Sequence, residues 1–390
     1  MLLVEQIQVK NNSSAYAELD HACFLSKNLY NAALYSIRQH FFKTKSYKGY
    51  GELNKEMVQT KNPDYYALNA NTSQQILKLV DQNFKSFFGS IKKKIKTHIP
   101  RYLPKNGRQE VIFTNQRISK KELKKGFLKM TGIKTEFKLR DEIKNIQQAR
   151  IIPQPTFGCY MVEIVYKVEE KEFLQDNGRY ASIDIGVNNL ATVSFNFRKP
   201  FIVNGRPLKS INQYYNKKKA NFKEKVKTRK AQTLNRKRRN KIRDYLHKAS
   251  RHVVNQLVSE SVSTLFIGKN DGWKQEASME RRGNQNFVSI PFYNFISMLE
   301  YKCRLEGIRV FEVQESYTSK CSFLDNEEIK KHDSYMGRRI KRGLFKSRNG
   351  RFINADVNGS LNIMRKVVGE RASLPDYSIE VCSTPKVVSF

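Results

Sequence analysis

The sequence predicts an α/β chain of more than one domain, and three observations carry that prediction. Alternating apolar runs recur, as in YMVEIVYKVEE (160–170) and YASIDIGVNNLATVSF (180–195). Between such runs lie longer stretches with apolar residues at steps of three and four. A length of 390 residues leaves room for two or three domains at ~100–200 residues each.

Lys and Arg number 72 against 36 Asp and Glu, a formal charge of +36. Apolar residues make up 39% and aromatics 11%, enough to bury a core and to exclude wholesale disorder. An excess this large argues against an ordinary metabolic enzyme. It favours a polyanion partner, nucleic acid first and an anionic membrane surface second. No run reaches the ~18 consecutive apolar residues of a membrane span. The start MLLVEQIQVK meets Glu5 and Lys10 too early for a signal-peptide core, so an intracellular protein is expected. The five cysteines, Cys23, Cys159, Cys303, Cys321 and Cys382, are scattered without C-x-x-C spacing. Neither a disulfide framework nor a cysteine zinc site is expected.

Residues 1–10 alternate partly and predict a short strand. Leu19, Cys23, Leu25, Leu29, Ala33 and Ile37 predict an amphipathic helix within 15–45. A second helix is expected to open at Thr72 as N-cap, with Gln75 completing a capping box. It would end in the cations of KKKIK (92–96), which suit a helix C-terminus. RYLPKNGRQEVIFTN reads as a strand pair around Pro104–Gly107. A small β domain over 1–14 and 97–176, interrupted by a helical insert at 15–96, is therefore expected. Asp176–Gly178 reads as a linker to a last domain at 177–390.

That domain begins with YASIDIGVNNLATVSF (180–195), read as strand, tight turn, strand, and with a third strand at PFIVNG (200–205). Residues 206–251 hold 18 Lys and Arg against Glu224 and Asp244, a basic helix or helical hairpin suited to tracking phosphates. TLFIGK is a strand, PFYNFISMLEYKCRLEG a helix stopped by Gly307, IRVFEVQE a strand, and NADVNGSLNIMRKVV a helix. Three adjacent strands followed by alternating β and α units describe the RNase H-like fold.

In so basic a chain, acids with apolar neighbours stand out. Asp184 is expected mid-strand in ASIDIGVNN, with Ile183 and Ile185 on the opposite face. A carboxylate there costs several kcal/mol of desolvation unless paired or bound to metal. The simpler alternative is an Asp at a strand end that bonds the next turn. The D-x-G phosphate loop of actin-like ATPases is a rival, but the further glycine-rich loops it needs are not found. Asp356 lies in NADVNGSLN, where Asn354 or Asp356 could also serve as a helix N-cap. Gly359 and Ser360 make that helix slim enough to lie close against a sheet. Carboxylates with no His or Cys cluster suit Mg²⁺ and two-metal hydrolysis.

Five blocks, SIDIGVNNLATVSF, IGKNDGWKQE, NQNFVSIPFYNFISMLEYKCRLEGIRVFEVQESYTSKCSFLD, RRIKRGLF and INADVNGSLNIMRKV, resemble TnpB in that family's order. These are RuvC-containing, RNA-guided nucleases of insertion sequences, related to type V CRISPR effectors and to Fanzor. The blocks cover most of 180–370, whereas 1–175 is similar only in layout: a β wedge domain split by a helical recognition insert. The resemblance implies a C-terminal RuvC domain with Asp184 as first acid and Asp356 as third. The middle Glu is displaced, because Lys269 or Asn270 stands at its usual place. Glu315 is the first substitute, then Glu276, then Asp271, or no acid at all; Glu312 would face the other side of its strand. The four-cysteine zinc site of many relatives is reduced to Cys321, so no structural zinc is expected.

Guide RNA and double-stranded DNA are the implied partners, in a prokaryotic cytoplasm beside the nucleoid, with no membrane. A monomer bound to RNA is the first expectation, with a dimer left open. Lys217, Lys218, Lys219, Arg236, Lys237, Arg238 and Arg239 are candidates for RNA or heteroduplex contacts. Arg338, Arg339, Lys341 and Arg342 are candidates for guiding the target strand, and Trp273 for stacking or packing. A nuclease-inactive, RNA-guided repressor and a strand-joining transposase are the rival readings.

Overall fold

The computed structural model describes residues 1–222, 228–269, 289–372 and 380–390. Asn270, Asp271, Trp273 and Glu276 lie outside the described residues. The N-terminal unit comprises Met1–Val168 and a short later segment ending at Thr233; the C-terminal unit takes the chain from Glu169 to Phe390 otherwise.

In the N-terminal unit, β1 (Leu2–Lys10) is followed by four helices before the sheet resumes. Helix α1 (Tyr16–Thr44) lies partly in each of two cores. Its first turns place Leu19, Ala22 and Cys23 in the core under the sheet. Its later turns place Leu29, Leu34 and Ile37 against α2 (Tyr50–Gln59), α3 (Pro63–Tyr66) and α4 (Ala70–Lys92) in a separate core. Helix α4 starts before the expected Thr72, because the Asn69 side chain accepts the Thr72 N–H at 3.1 Å and is the N-cap.

The expected strand pair around Pro104–Gly107 is a turn with one strand. Gly107 N–H bonds the Pro104 carbonyl at 2.8 Å. The flanking backbone is taken up by α1 side chains: Asn31 bonds Leu103 in both directions, Lys27 donates to the Lys105 carbonyl, and Ser26 donates to the Glu110 carbonyl. Only β2 (Val111–Thr114) joins the sheet. The short α5 (Lys120–Lys124) and the pair β3 (Phe127–Leu128) and β4 (Phe137–Lys138) follow. Strands β5 (Ile146–Gln154) and β6 (Cys159–Lys167) complete an antiparallel sheet of order β1-β6-β5-β2.

The C-terminal unit is built on a mixed sheet of order β11-β10-β7-β8-β9-β15. Strands β7 (Tyr180–Asp184), β8 (Asn189–Phe195) and β9 (Phe201–Asn204) run antiparallel. Helices α6 (Arg206–Ala220) and α7 (Arg229–Ser259) follow. Strand β10 (Thr264–Lys269) pairs parallel with β7, and after α8 (Phe292–Leu305) strand β11 (Arg309–Gln314) pairs parallel with β10. A three-stranded lobe, β12 (Arg338–Lys341), β13 (Leu344–Lys346) and β14 (Phe352–Ile353), precedes α9 (Ala355–Val368). Strand β15 (Lys386–Val388) closes the edge beside β9.

The period of two divides β7 between two layers. Ala181 and Ile183 enter the core with Leu246, Val253 and Leu257 of α7 and Phe295 and Leu299 of α8. Tyr180 faces the other layer, with Ile363 and Met364 of α9. Among the described residues no helix is long and apolar enough to cross a membrane.

Lys302 is buried between α8 and α7, where its Nζ donates to the His247 carbonyl at 2.9 Å and to Ser250 Oγ at 2.7 Å. Burial pulls its ammonium down to about 8 from 10.5. Between those values the unfolded chain holds a proton that the folded chain has shed, so stability rises with pH across that window. Denaturant titrations at about pH 7 and about pH 10.5 are expected to show a gain of about 1–3 kcal/mol that Lys302→Met lacks. Equal gains in both proteins would refute this role.

Candidate active site

Asp184 is the last residue of β7 rather than a mid-strand residue, and its side chain points to the α9 layer because Ile183 is given to the opposite core. Helix α9 begins after Asn354, whose side chain accepts the N–H of Asp356 at 3.0 Å and of Val357 at 3.2 Å. The cap is thus Asn354, and the Asp356 carboxylate is left available. Its Oδ2 accepts Asn189 Nδ2 at 2.6 Å, and its Oδ1 pairs with Arg339 at 3.1 Å.

Helix α9 lies very near β7. A Cβ at Gly359 would stand 2.8 Å from Asp184 Oδ2, so only glycine lets the carboxylate sit there. The next residue ties the two elements. Ser360 Oγ bonds the carbonyls of Ser182 and Thr192 at 3.0 and 3.1 Å, and Ser182 Oγ bonds the Ser360 carbonyl at 2.7 Å.

Glu315 follows directly after β11, and a Cβ on Gly268 of β10 would overlap its side chain. Glu312 is turned away and exposed, paired with Lys269 at 2.6 Å. The turn after Glu315 is clamped by α9. Asn362 Nδ2 bonds the carbonyls of Thr318 and Cys321 at 2.8 and 2.7 Å. Asn358 bonds the Cys321 carbonyl and the Phe323 N–H, both at 2.9 Å. Cys321 is buried, with its Sγ 3.6 Å from the Lys330 carbonyl.

The electrostatics place Asp184 within the fields of the other two acids. Asp184 is held well above the usual carboxylate range, first by desolvation and then by the charges of Glu315 and Asp356; Arg339 acts the other way. Desolvation pushes Glu315 up to about 7. Among the described residues no three His, Cys, Asp or Glu side chains stand together so as to hold a metal ion. Asp356 is instead drawn onto Arg339 and Asn189. The donor chemistry fits a hard divalent cation: carboxylate oxygens are supplied from β7, the end of β11 and α9.

The basic candidates fall into two groups. Lys217, Lys218 and Lys219 lie exposed on the last turn of α6. Arg338, Arg339 and Lys341 are exposed on β12, and Arg342 is exposed in the following turn. Arg236, Lys237 and Arg239 lie on α7. Arg238, also on α7, is engaged internally: Nε bonds Asn212 at 2.7 Å, one terminal nitrogen bonds the Ser289 carbonyl at 3.2 Å, and its guanidinium lies 4.9 Å from the Tyr215 ring centre. Sequence reasoning missed Asn189 and the clamping roles of Asn358 and Asn362, which depend on a loop far away in the chain.

Comparison with known proteins adds an independent line. A family model described as "Probable transposase" matches residues 163–274, and one described as "Cas12f1-like, TNB domain" matches residues 292–363. The chain is 24% identical to the TnpB-like protein ORF457 of Acidianus two-tailed virus, over 88% of this chain and 82% of that protein. It is 25% identical to the CRISPR-associated endodeoxyribonuclease Cas12f2 of a Micrarchaeota archaeon, over 56% of this chain and 44% of the relative. The structure resembles that of Cas12f1 in a complex with sgRNA and target DNA, with a TM-score of 0.55 at 14% identity, covering 88% of this chain and 82% of that one. The similarity to TnpB drawn from the sequence blocks therefore holds, and it extends to Cas12f proteins.

The raised Glu315 carboxyl has a consequence for stability. Between 4.5 and about 7 the folded chain holds a proton that the unfolded chain has lost, so stability falls as pH rises through that window. In EDTA, Glu315→Gln is expected to stabilise the protein by about 1–3 kcal/mol at about pH 8 and to change nothing near pH 4. A pH-independent effect in denaturant titrations would contradict this.

Proposed function

We propose that this chain, similar to TnpB-like and Cas12f proteins, is an RNA-guided, Mg²⁺-dependent DNA endonuclease with a single RuvC site. The observation that carries the reading is the convergence of Asp184, Glu315 and Asp356 from three separate elements, with Asp184 feeling the charge of both others. The sheet order supports an RNase H-like domain: the first three strands are antiparallel, and the fourth and fifth add parallel on the far side of the first. We read the N-terminal sheet as the wedge domain and its helices as the recognition insert, with boundaries near 14, 96 and 176.

Asp184, Glu315 and Asp356 would hold Mg²⁺. When bound, that ion supplies Lewis-acid activation of water and of the phosphodiester. The chain's own residues set up the rest. Asn189 and Arg339 orient the Asp356 carboxylate, Gly359 lets Asp184 approach α9, and Asn358 and Asn362 hold the turn behind Glu315. Exposed cations on α6 suit the backbone of a guide RNA or heteroduplex, and those on β12 suit a target strand. The protein would act as a monomer on its RNA, in the prokaryotic cytoplasm beside the nucleoid.

The test is cleavage of a plasmid with a matched target by protein purified with its own RNA. Cleavage is expected in Mg²⁺ and lost in EDTA, with Asp184→Asn, Glu315→Gln and Asp356→Asn each slower by at least about a thousandfold. Full activity of Glu315→Gln would move the middle role to Glu276 or Asp271. Target binding by all proteins with cutting by none would establish the repressor reading instead.

Gly359→Ala separates geometry from folding. Alanine is the better helix former by about 1 kcal/mol, but its methyl stands against Asp184. A melting temperature near that of wild type with cleavage at least about tenfold slower is expected; unchanged cleavage would show that the close approach is unimportant.

A further inference from the structure

Tyr317 holds a backbone conformation that bulky side chains rarely adopt, with φ at +66°. Glycine or asparagine is the usual occupant of such a position. The turn around it is well satisfied. The Glu315 carbonyl accepts the Thr318 N–H at 3.1 Å and the Thr318 hydroxyl at 2.8 Å. The Tyr317 carbonyl accepts the N–H groups of Lys320 and Cys321, both at 3.1 Å. Asn362 of α9 then holds the carbonyls of Thr318 and Cys321.

The Tyr317 side chain nevertheless stays 38% exposed. A strained residue that the surrounding hydrogen bonds over-determine and that stays partly exposed points to a role outside the fold. It lies two residues beyond Glu315. Lys320, three residues on, is exposed, and so are Arg338, Arg339 and Lys341 of β12, where Arg339 reaches Asp356.

We propose that the Tyr317 ring is a stacking platform for a base of single-stranded nucleic acid passing the three carboxylates. A flat aromatic face accepts any base, which suits a site that cuts without reading sequence. The neighbouring cations would take the phosphates on either side. Tyr317 is thus a positioning residue: it touches a base and acts on the reacting phosphate only through the strand. The destination of that strand rests on the nuclease reading above; the stacking itself does not.

The probe is a short single-stranded DNA carrying 2-aminopurine, titrated with the RNA-bound protein in Ca²⁺ in place of Mg²⁺. Stacking quenches its fluorescence. Wild type and Tyr317→Phe are expected to quench. Tyr317→Asn keeps a residue that tolerates positive φ, and is expected to melt at or above the wild-type temperature. It should lose the quenching and bind about tenfold or more weakly. Undiminished quenching by Tyr317→Asn, absent quenching by wild type, or a lower melting temperature for Tyr317→Asn would each overturn the proposal, the last by making the ring a packing element. Asp184→Asn keeps the two readings apart. If wild type cuts plasmid and Asp184→Asn quenches without cutting, both stand; if both quench and neither cuts, the nuclease reading falls alone.

Discussion

Helix α9 and strand β7 approach so closely that one position between them admits no side chain. A Cβ on Gly359 would lie 2.8 Å from Asp184 Oδ2, and the reciprocal serine bonds of Ser182 and Ser360 hold the distance. The site depends on this contact in two ways. It brings Asp356, one turn earlier on α9, to the end of β7. It also removes water from Asp184, which raises the cost of ionising that carboxyl.

The same helix organises the opposite flank. Asn358 and Asn362 take the carbonyls of Thr318 and Cys321, so the turn following Glu315 is fixed by α9 rather than by the sheet that delivers it. One helix therefore sets the positions of acids from two other elements. Arg339 and Asn189 complete the balance at Asp356, the acid that receives both a cation and an amide donor.

The charge excess has a similar division of labour. Arg238 is spent on Asn212, the Ser289 carbonyl and Tyr215 inside the C-terminal unit. Lys217, Lys218 and Lys219 on α6, and Arg338 and Lys341 on β12, stay exposed. A net charge of +36 repels itself, and a bound polyanion offsets that repulsion. The exposed cations on β12 lie on the lobe that also carries Arg339 to Asp356.

The sequence by itself determined the alternation of β7, the basic α6–α7 segment and the slimness of α9, and it singled out Asp184 and Asp356; the cap of α9 it left between Asn354 and Asp356. These are local matters, set by residue period and by side-chain size over a few positions. Other features were decided only by tertiary structure. Asn69 displaced Thr72 as cap because its side chain reaches the N–H groups first. The arm before Gly107 is not a strand because α1 side chains take its backbone. The sequence already favoured Glu315 and turned Glu312 to the other side of its strand, but the turn after Glu315 is fixed by a clamp from a residue more than forty positions later. Contacts between distant segments carry no local periodicity, so only the assembled sheet and helix reveal them.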